Sequence, residues 1–235
     1  RFPQADCAFF LHRTRDATDP SRSFVLSAAD FAAVNPNTGT APVFRSRRDA
    51  ELTTDIYGRV PVLVDRRNDP PTIIWPVRYT RMFDMTNDSG LFKRHGELIS
   101  EGFYPVEGGR LKRGEEEFLP LYTGRTIHQF DHRAASVKFN PNSLHNPFSS
   151  DDTSLLDHQD PSFSPRPQFW VAETDIDQPE ELRWTVAFRN IARATDARTF
   201  IATIVPHSAA GNTLPLMLPV IANSSDARSN YAEAW

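Results

Sequence analysis

The chain has 235 residues, 39% of them hydrophobic and 24% charged, with a net charge of −4. That is enough for one large domain or a domain with an arm, and too acidic for a protein that binds nucleic acid by bulk charge alone. No run of about 18 apolar residues is present, so no membrane-spanning helix is expected, and RFPQADCAFFLHR lacks the basic-then-apolar layout of a secretory signal.

Cys7 is the single cysteine. It excludes intrachain disulfides and fits a reducing cytoplasm. Of 26 basic residues only Lys93, Lys112 and Lys138 are lysines. Arginine's planar fork suits phosphates and guanine edges better than an ammonium does, while a GC-rich coding bias raises Arg, Ala, Pro and Asp together. Composition leaves both explanations standing.

Apolar residues at 9–11 and 24–26 bracket the polar RTRDATDPSR and predict a strand, an exposed loop and a short helix. Ser27 and Asp30 have the spacing of a helix cap. Asn35-Pro36-Asn37-Thr38-Gly39 is a turn. Residues 48–60 form the best predicted helix: Ala50, Leu52, Ile56 and Tyr57 fall near one face, Ser46 is placed to cap, and Pro61 stops it. Arg45, Arg47 and Arg48 crowd its positive end, which asks for a carboxylate or a phosphate nearby.

From Pro70 the texture becomes strand-like. Residues 72–75, 77–83, 130–139 and 200–205 read as strands, and 91–102 as a short helix ending in glycine. Glu107-Gly108-Gly109 closes a predicted hairpin. Residues 140–168, rich in Pro, Asn, Ser and Asp, read as one long loop. The acidic stretch 151–181 is expected to face solvent. The expected class is α+β: a helical arm followed by a mixed, mainly antiparallel sheet with long loops.

Residues 1–65 are expected to form the connector or helical arm, and 66–235 the main domain. The arm should leave apolar residues exposed, whereas one compact domain would bury Phe44, Leu52, Ile56 and Tyr57 together. The start on Arg1 and the helix-like NYAEAW at the end are expected of a piece cut from a longer polypeptide.

Catalytic motifs are missing. No glycines form a Gly-x-Gly pattern, and the sites Asn35-Pro36, Asn140-Pro141 and Asn146-Pro147 lack the second proline of an adenine-holding Asn-Pro-Pro-aromatic tetrapeptide. His128 and His132 have the spacing of a metal pair on a helix, but no glutamate follows His128. There is no Gly-x-Ser-x-Gly elbow, and Glu115-Glu116-Glu117 has no nuclease-type lysine after it. Arg183, Arg189, Arg193 and Arg198 are the sharpest basic set. On a helix Arg189 and Arg193 share a face; in a strand–turn–strand they border a polar loop; or all four pair with the acidic 173–181 stretch.

Three blocks, in order, carry a resemblance: NPNTGTAPVFRSRRDAELTTDIYGRVPVL, LPLYTGRTIHQFDHR and WTVAFRNIARATDARTFIATIVPHSAAGNTLPLMLP. From about Phe24 to Pro219 the chain resembles the region downstream of the catalytic domain in bacterial adenine-specific (N6) DNA methyltransferases, many of them bifunctional restriction-modification enzymes. It departs from that family at 140–168 and around 208–210, where relatives carry a more glycine-rich turn.

The resemblance implies most of a target recognition domain, truncated at its C-terminal end. Its partners would be double-stranded DNA and the catalytic methyltransferase domain of the same polypeptide, in a cytoplasmic phage-defence system. It implies no cofactor in this part, S-adenosylmethionine in the parent enzyme, and a divalent metal only where a nuclease is fused. Arg189, Arg193 and Arg198 are the expected DNA-facing residues, with Gln129, His132 and Arg133 from the second block. The alternative is a protein-interaction or scaffolding module of a multi-domain defence protein, which the acidic balance favours.

Overall fold

The computed structural model describes residues 3–139, 148–179, 182–193 and 195–219. The expected turns at 140–143 and 146–147 and the helix start at 231–235 fall outside them. The chain divides into two compact units, residues 1–76 and 77–235. The break comes after Pro76, where one after residue 65 was expected.

In the first unit β1 (Gln4–Ala8) pairs antiparallel with β2 (Ser23–Ser27). Along β2, Phe24 and Leu26 are buried and Val25 is exposed, the period-2 alternation of a strand with one covered face. Ser27 then caps α1 (Ala28–Val34): the Asp30 amide donates to its hydroxyl at 3.2 Å, and its own amide donates to the Asp30 carboxylate at 2.8 Å. That reciprocal pair satisfies two helix-end donors. Ser46 caps α2 (Arg47–Arg59) through the Asp49 amide at 3.2 Å. The short ladder of β3 (Val64–Asp65) with β4 (Thr72–Ile73) completes the unit, so the expected helical arm is a hairpin with two helices.

Its core is Phe24, Leu26, Phe44 and Ala50, with Cys7, Phe9 and Phe31 against it. Ala50 is the one buried residue of α2. Leu52 and Ile56 are exposed and Tyr57 half-buried, so the predicted stripe meets this core only at its first turn. A carboxylate, Asp49, lies in the first turn of α2 as expected at its positive end, and Arg47 donates to the carbonyls of Pro20 (3.0 Å) and Ser23 (2.8 Å), tying the helix to β2.

The second unit contains β5 (Val77–Thr80), α3 (His95–Ser100), β6 (Tyr104–Pro105), β7 (Leu111–Arg113), β8 (Glu116–Tyr122), β9 (Ala135–Phe139), β10 (Phe148–Asp152), α4 (Leu155–Gln159), β11 (Trp170–Ala172), β12 (Trp184–Phe188), β13 (Ala202–Pro206), β14 (Ala209–Ala210) and β15 (Leu216–Pro219). One antiparallel sheet runs β13-β12-β15-β5; the other runs β11-β8-β7-β6, with β14 parallel to β8. The architecture is mixed α and β, mostly antiparallel, with few helices. A core of Tyr122, Ile127, Ala187, Val205, Ala210, Leu214, Leu216 and Leu218 draws on both sheets.

Two expectations need correction. The segment 140–168 is not one loop: β10 pairs with β9, and α4 follows, capped by Ser154 and Asp157. The β10 sequence FSSDD has no apolar alternation for a periodicity to reveal. Conversely, the strand expected over 130–139 begins only at Ala135, because Phe130 takes a left-handed φ of 64°.

Gly124 opens the turn after β8. A Cβ there would stand 2.7 Å from the backbone carbonyl oxygen of Thr213, and backbone cannot swing away. Gly124→Ala is expected to destabilise the second unit by about 1–3 kcal/mol, as overpacking does; a urea melt checks this, with Gly90→Ala, which meets nothing within 4 Å, as the control.

Candidate nucleic-acid interface

Beyond the end of β8 at Tyr122 the second sequence block is a folded loop, not a helix, so His128 and His132 do not share a helical face. Thr126 closes the turn by donating its hydroxyl to the Thr123 carbonyl at 2.8 Å. Ile127 is fully buried, and its carbonyl accepts two bonds from the Arg189 guanidinium, Nε at 3.1 Å and Nη2 at 2.5 Å. His128 and Asp131 then exchange backbone bonds at 2.8 and 3.1 Å, which puts Gln129 and Phe130 at the corner of a tight turn. That corner docks on the start of β13: the Phe130 amide donates to the Ala202 carbonyl at 2.9 Å, and the Ala202 amide donates to the Gln129 side-chain oxygen at 3.2 Å.

With its backbone held from both sides, Phe130 presents a ring that leaves the residue 82% exposed. A bulky residue at positive φ is unusual and costs conformational energy.

Behind the tip, Arg133 works as a clamp. Its Nη1 donates to the Asp160 carbonyl at 2.9 Å and the Phe163 carbonyl at 3.4 Å, and its Nη2 to the His158 carbonyl at 2.9 Å. The Asp131 carboxylate meets His158 Nε2 at 2.9 Å. Burial pushes the Asp131 carboxyl up, but the His158 bond, the Arg133 amide and the charges of His158 and His132 together hold it below the ordinary range. His158 is raised by that same bond and by the Ser154 carbonyl. His132 moves the other way: burial, then the Arg133 charge, lower it.

The third block is strand–loop–strand. The Arg189 amide donates to the Ile201 carbonyl at 2.9 Å and closes the loop between β12 and β13. Within it the Arg193 amide donates to the Asp196 carboxylate at 2.7 Å, and the Asp196 amide returns to the Arg193 carbonyl at 3.0 Å. Ile191, Arg193, Arg198 and Phe200 are exposed, and Phe200 stacks on Phe188 at 5.2 Å. Among the described residues of the acidic stretch, Glu173 pairs with His207 at 3.9 Å and Asp177 with Arg78 at 3.8 Å, and neither meets Arg183, Arg189, Arg193 or Arg198, while Glu180 and Glu181 lie outside the described residues.

The six expected site residues therefore separate. Gln129, Arg133 and Arg189 spend their side chains on backbone groups of the protein, and His132 is half-buried. Arg193 and Arg198 project from the loop, their side chains unpartnered among the described residues. The docked Gln129–Ala202 pair brings Phe130 beside the end of that loop. The exposed Phe130 was absent from the expected set, since nothing in HQFDH marks a left-handed phenylalanine.

Chemically, the arrangement offers free guanidinium forks and a preset aromatic surface, which suits gripping phosphates and stacking on bases. Among the described residues no cluster of His, Cys, Asp or Glu could hold a metal, and no helix is long and apolar enough to cross a membrane. The chain matches no family model, no curated protein and no solved structure.

The Asp131–His158 pair gives a signed pH dependence. A raised histidine stabilises the fold below its unfolded value of about 6.5, and that contribution fades as pH climbs through the higher folded value. The lowered Asp131 stabilises above about 3.9 and loses its effect on acidification. The pair is thus at full strength between about pH 4 and 6.5. His132 has the opposite sign, because burial favours its neutral form. The pair is therefore read as a difference: the melting-temperature gap between the wild type and His158→Gln should be widest near about pH 6 and narrow steadily toward alkaline pH. A gap that stays constant with pH would refute the pairing.

Arg133→Ala strands three carbonyls and should cost about 1.5–3 kcal/mol in a denaturant melt. Arg133→Lys should recover only part of that loss, because an ammonium cannot reproduce the fork.

Proposed function

We propose that this chain recognises double-stranded DNA for an adenine-N6 DNA methyltransferase or restriction-modification enzyme, as a non-catalytic, target-recognition-domain-like region. The three ordered blocks support the family. The observation that carries the site is the division among the arginines: Arg133 and Arg189 brace the fold, while Arg193 and Arg198 stand unpartnered among the described residues, in the loop whose end at Ala202 holds the turn of the exposed Phe130. The DNA face in this reading is Arg193, Arg198 and Phe130, with Gln129, His132, Arg133 and Arg189 as its support. S-adenosylmethionine and the methyl transfer belong to the parent's catalytic domain.

A second reading has its own observation. Along β12 and β13 one face is buried, through Thr185, Ala187, Thr203 and Val205, while Trp184 and Ile204 on the other are exposed. An open apolar sheet face supports protein docking. In the first reading its occupant is the catalytic domain of the same polypeptide; in the alternative, a partner of a scaffolding module.

Duplex binding as a function of salt tests the first reading. Each phosphate contact contributes roughly 0.9 to the slope of log affinity against log salt. Arg193→Ala and Arg198→Ala should each lower affinity across unrelated sequences and reduce that slope by about one, with melting temperature unchanged. Equal binding by wild type and the double variant at every salt concentration would put the DNA elsewhere.

A further inference from the structure

A cleft of about 610 Å3 opens in the second unit, within the roughly 300–1,000 Å3 of small-ligand sites. Arg94 and His95 line it from the start of α3, Lys138 and Phe139 from β9, and Arg166 and Gln168 from the segment leading into β11. Its one carboxylate, Asp151, lies 3.6 Å from Lys138. The side chains of Arg94, Arg166 and Gln168 have no protein partner among the described residues.

Arg166 is nonetheless firmly placed: its amide donates to the Ser136 hydroxyl at 3.0 Å, and its carbonyl accepts from the Val137 amide at 2.8 Å. Phe139 is 61% exposed, with its ring 5.5 Å from that of Phe148. His95 stacks on Trp170 at 5.4 Å.

Unneutralised guanidiniums call for an anion. Aromatic rings call for a flat apolar partner, and a free amide for a hydrogen-bonding edge. A simple anion would leave the rings unused, and an apolar ligand would leave the cations unanswered. A nucleotide supplies all three features in one unit. We propose that this cleft binds a single unstacked nucleotide, with its phosphate at Arg94 and Arg166, its base on Phe139 and the base edge at Gln168. The unit comes either from a free nucleotide or from single-stranded nucleic acid. The site is separate from the duplex interface proposed above and does not rest on it.

The test titrates the full chain with a short fluorescein-labelled oligothymidylate and, separately, with AMP. Binding of the oligomer, of AMP or of both is expected, and which of them binds names the source. Phe139→Ala should weaken it by about fivefold or more, the scale of a lost base stack. Arg166→Ala should weaken it and flatten its salt dependence. Both side chains are exposed, and unchanged melting temperatures would exclude unfolding. Arg193→Ala with Arg198→Ala should leave this binding intact. No binding of either ligand, or binding indifferent to Phe139 and Arg166, overturns the proposal. Loss of oligomer binding in the Arg193/Arg198 variant also overturns it and moves the strand to the hairpin loop.

Discussion

A buried carbonyl oxygen must find a donor or destabilise the fold by about 1–3 kcal/mol, and the carbonyl of Ile127 finds the Arg189 guanidinium. Much of the second unit's geometry follows from that bond. Ile127 is buried in the core shared by both sheets, so its carbonyl has no route to water. Arg189 reaches it from the residue after β12, across 62 positions of sequence. The same residue's amide closes the β12–β13 loop on Ile201. One arginine thus fixes the tip loop of the second block against the loop of the third, and the Gln129–Ala202 and Phe130–Ala202 bonds complete the register.

The arginine bias gains a structural meaning here. Arg47 staples Pro20 and Ser23, Arg113 reaches the Glu101 carbonyl, Arg125 that of Phe148, Arg133 those of His158, Asp160 and Phe163, and Arg189 that of Ile127. A fold with short strands and long connections leaves many carbonyls outside any ladder. A planar fork with five donors satisfies such carbonyls from a distance, where an ammonium offers only a point charge. Staples of this kind call for arginine over lysine without any nucleic acid being present. Basic residues in such a chain therefore say little about ligand until their hydrogen bonds are known.

That explains what was legible in the sequence. Capping by Ser27 and Ser46, the Glu107-Gly108-Gly109 hairpin and the β13 strand follow from local rules, because each is decided within a few residues. The strand β10 and helix α4 were hidden in a polar segment, since ladder pairing with β9 and a side-chain cap need no apolar period. The roles of Arg133 and Arg189 were hidden for a different reason. Whether an arginine faces a carbonyl or solvent depends on partners 25 to 62 positions away, and residue type cannot encode that distance. Arg193 and Arg198 sit in a loop whose turn is closed locally by Asp196, so their exposure was the more readable part.

The segment after α4 links the two surfaces of the second unit. Arg133 pins the carbonyl of His158 within α4 and those of Asp160 and Phe163 after it, and β9 pins Arg166 through Ser136 and Val137. Arg133 and Ser136 lie three residues apart on one stretch of chain, so one short segment holds both the base of the Phe130 turn and a wall of the Arg166 cleft. A backbone held at this many points has few low-energy ways to deform. The Asp131–His158 bond ties the tip to α4 as well, and unlike the arginine staples it is a titratable contact.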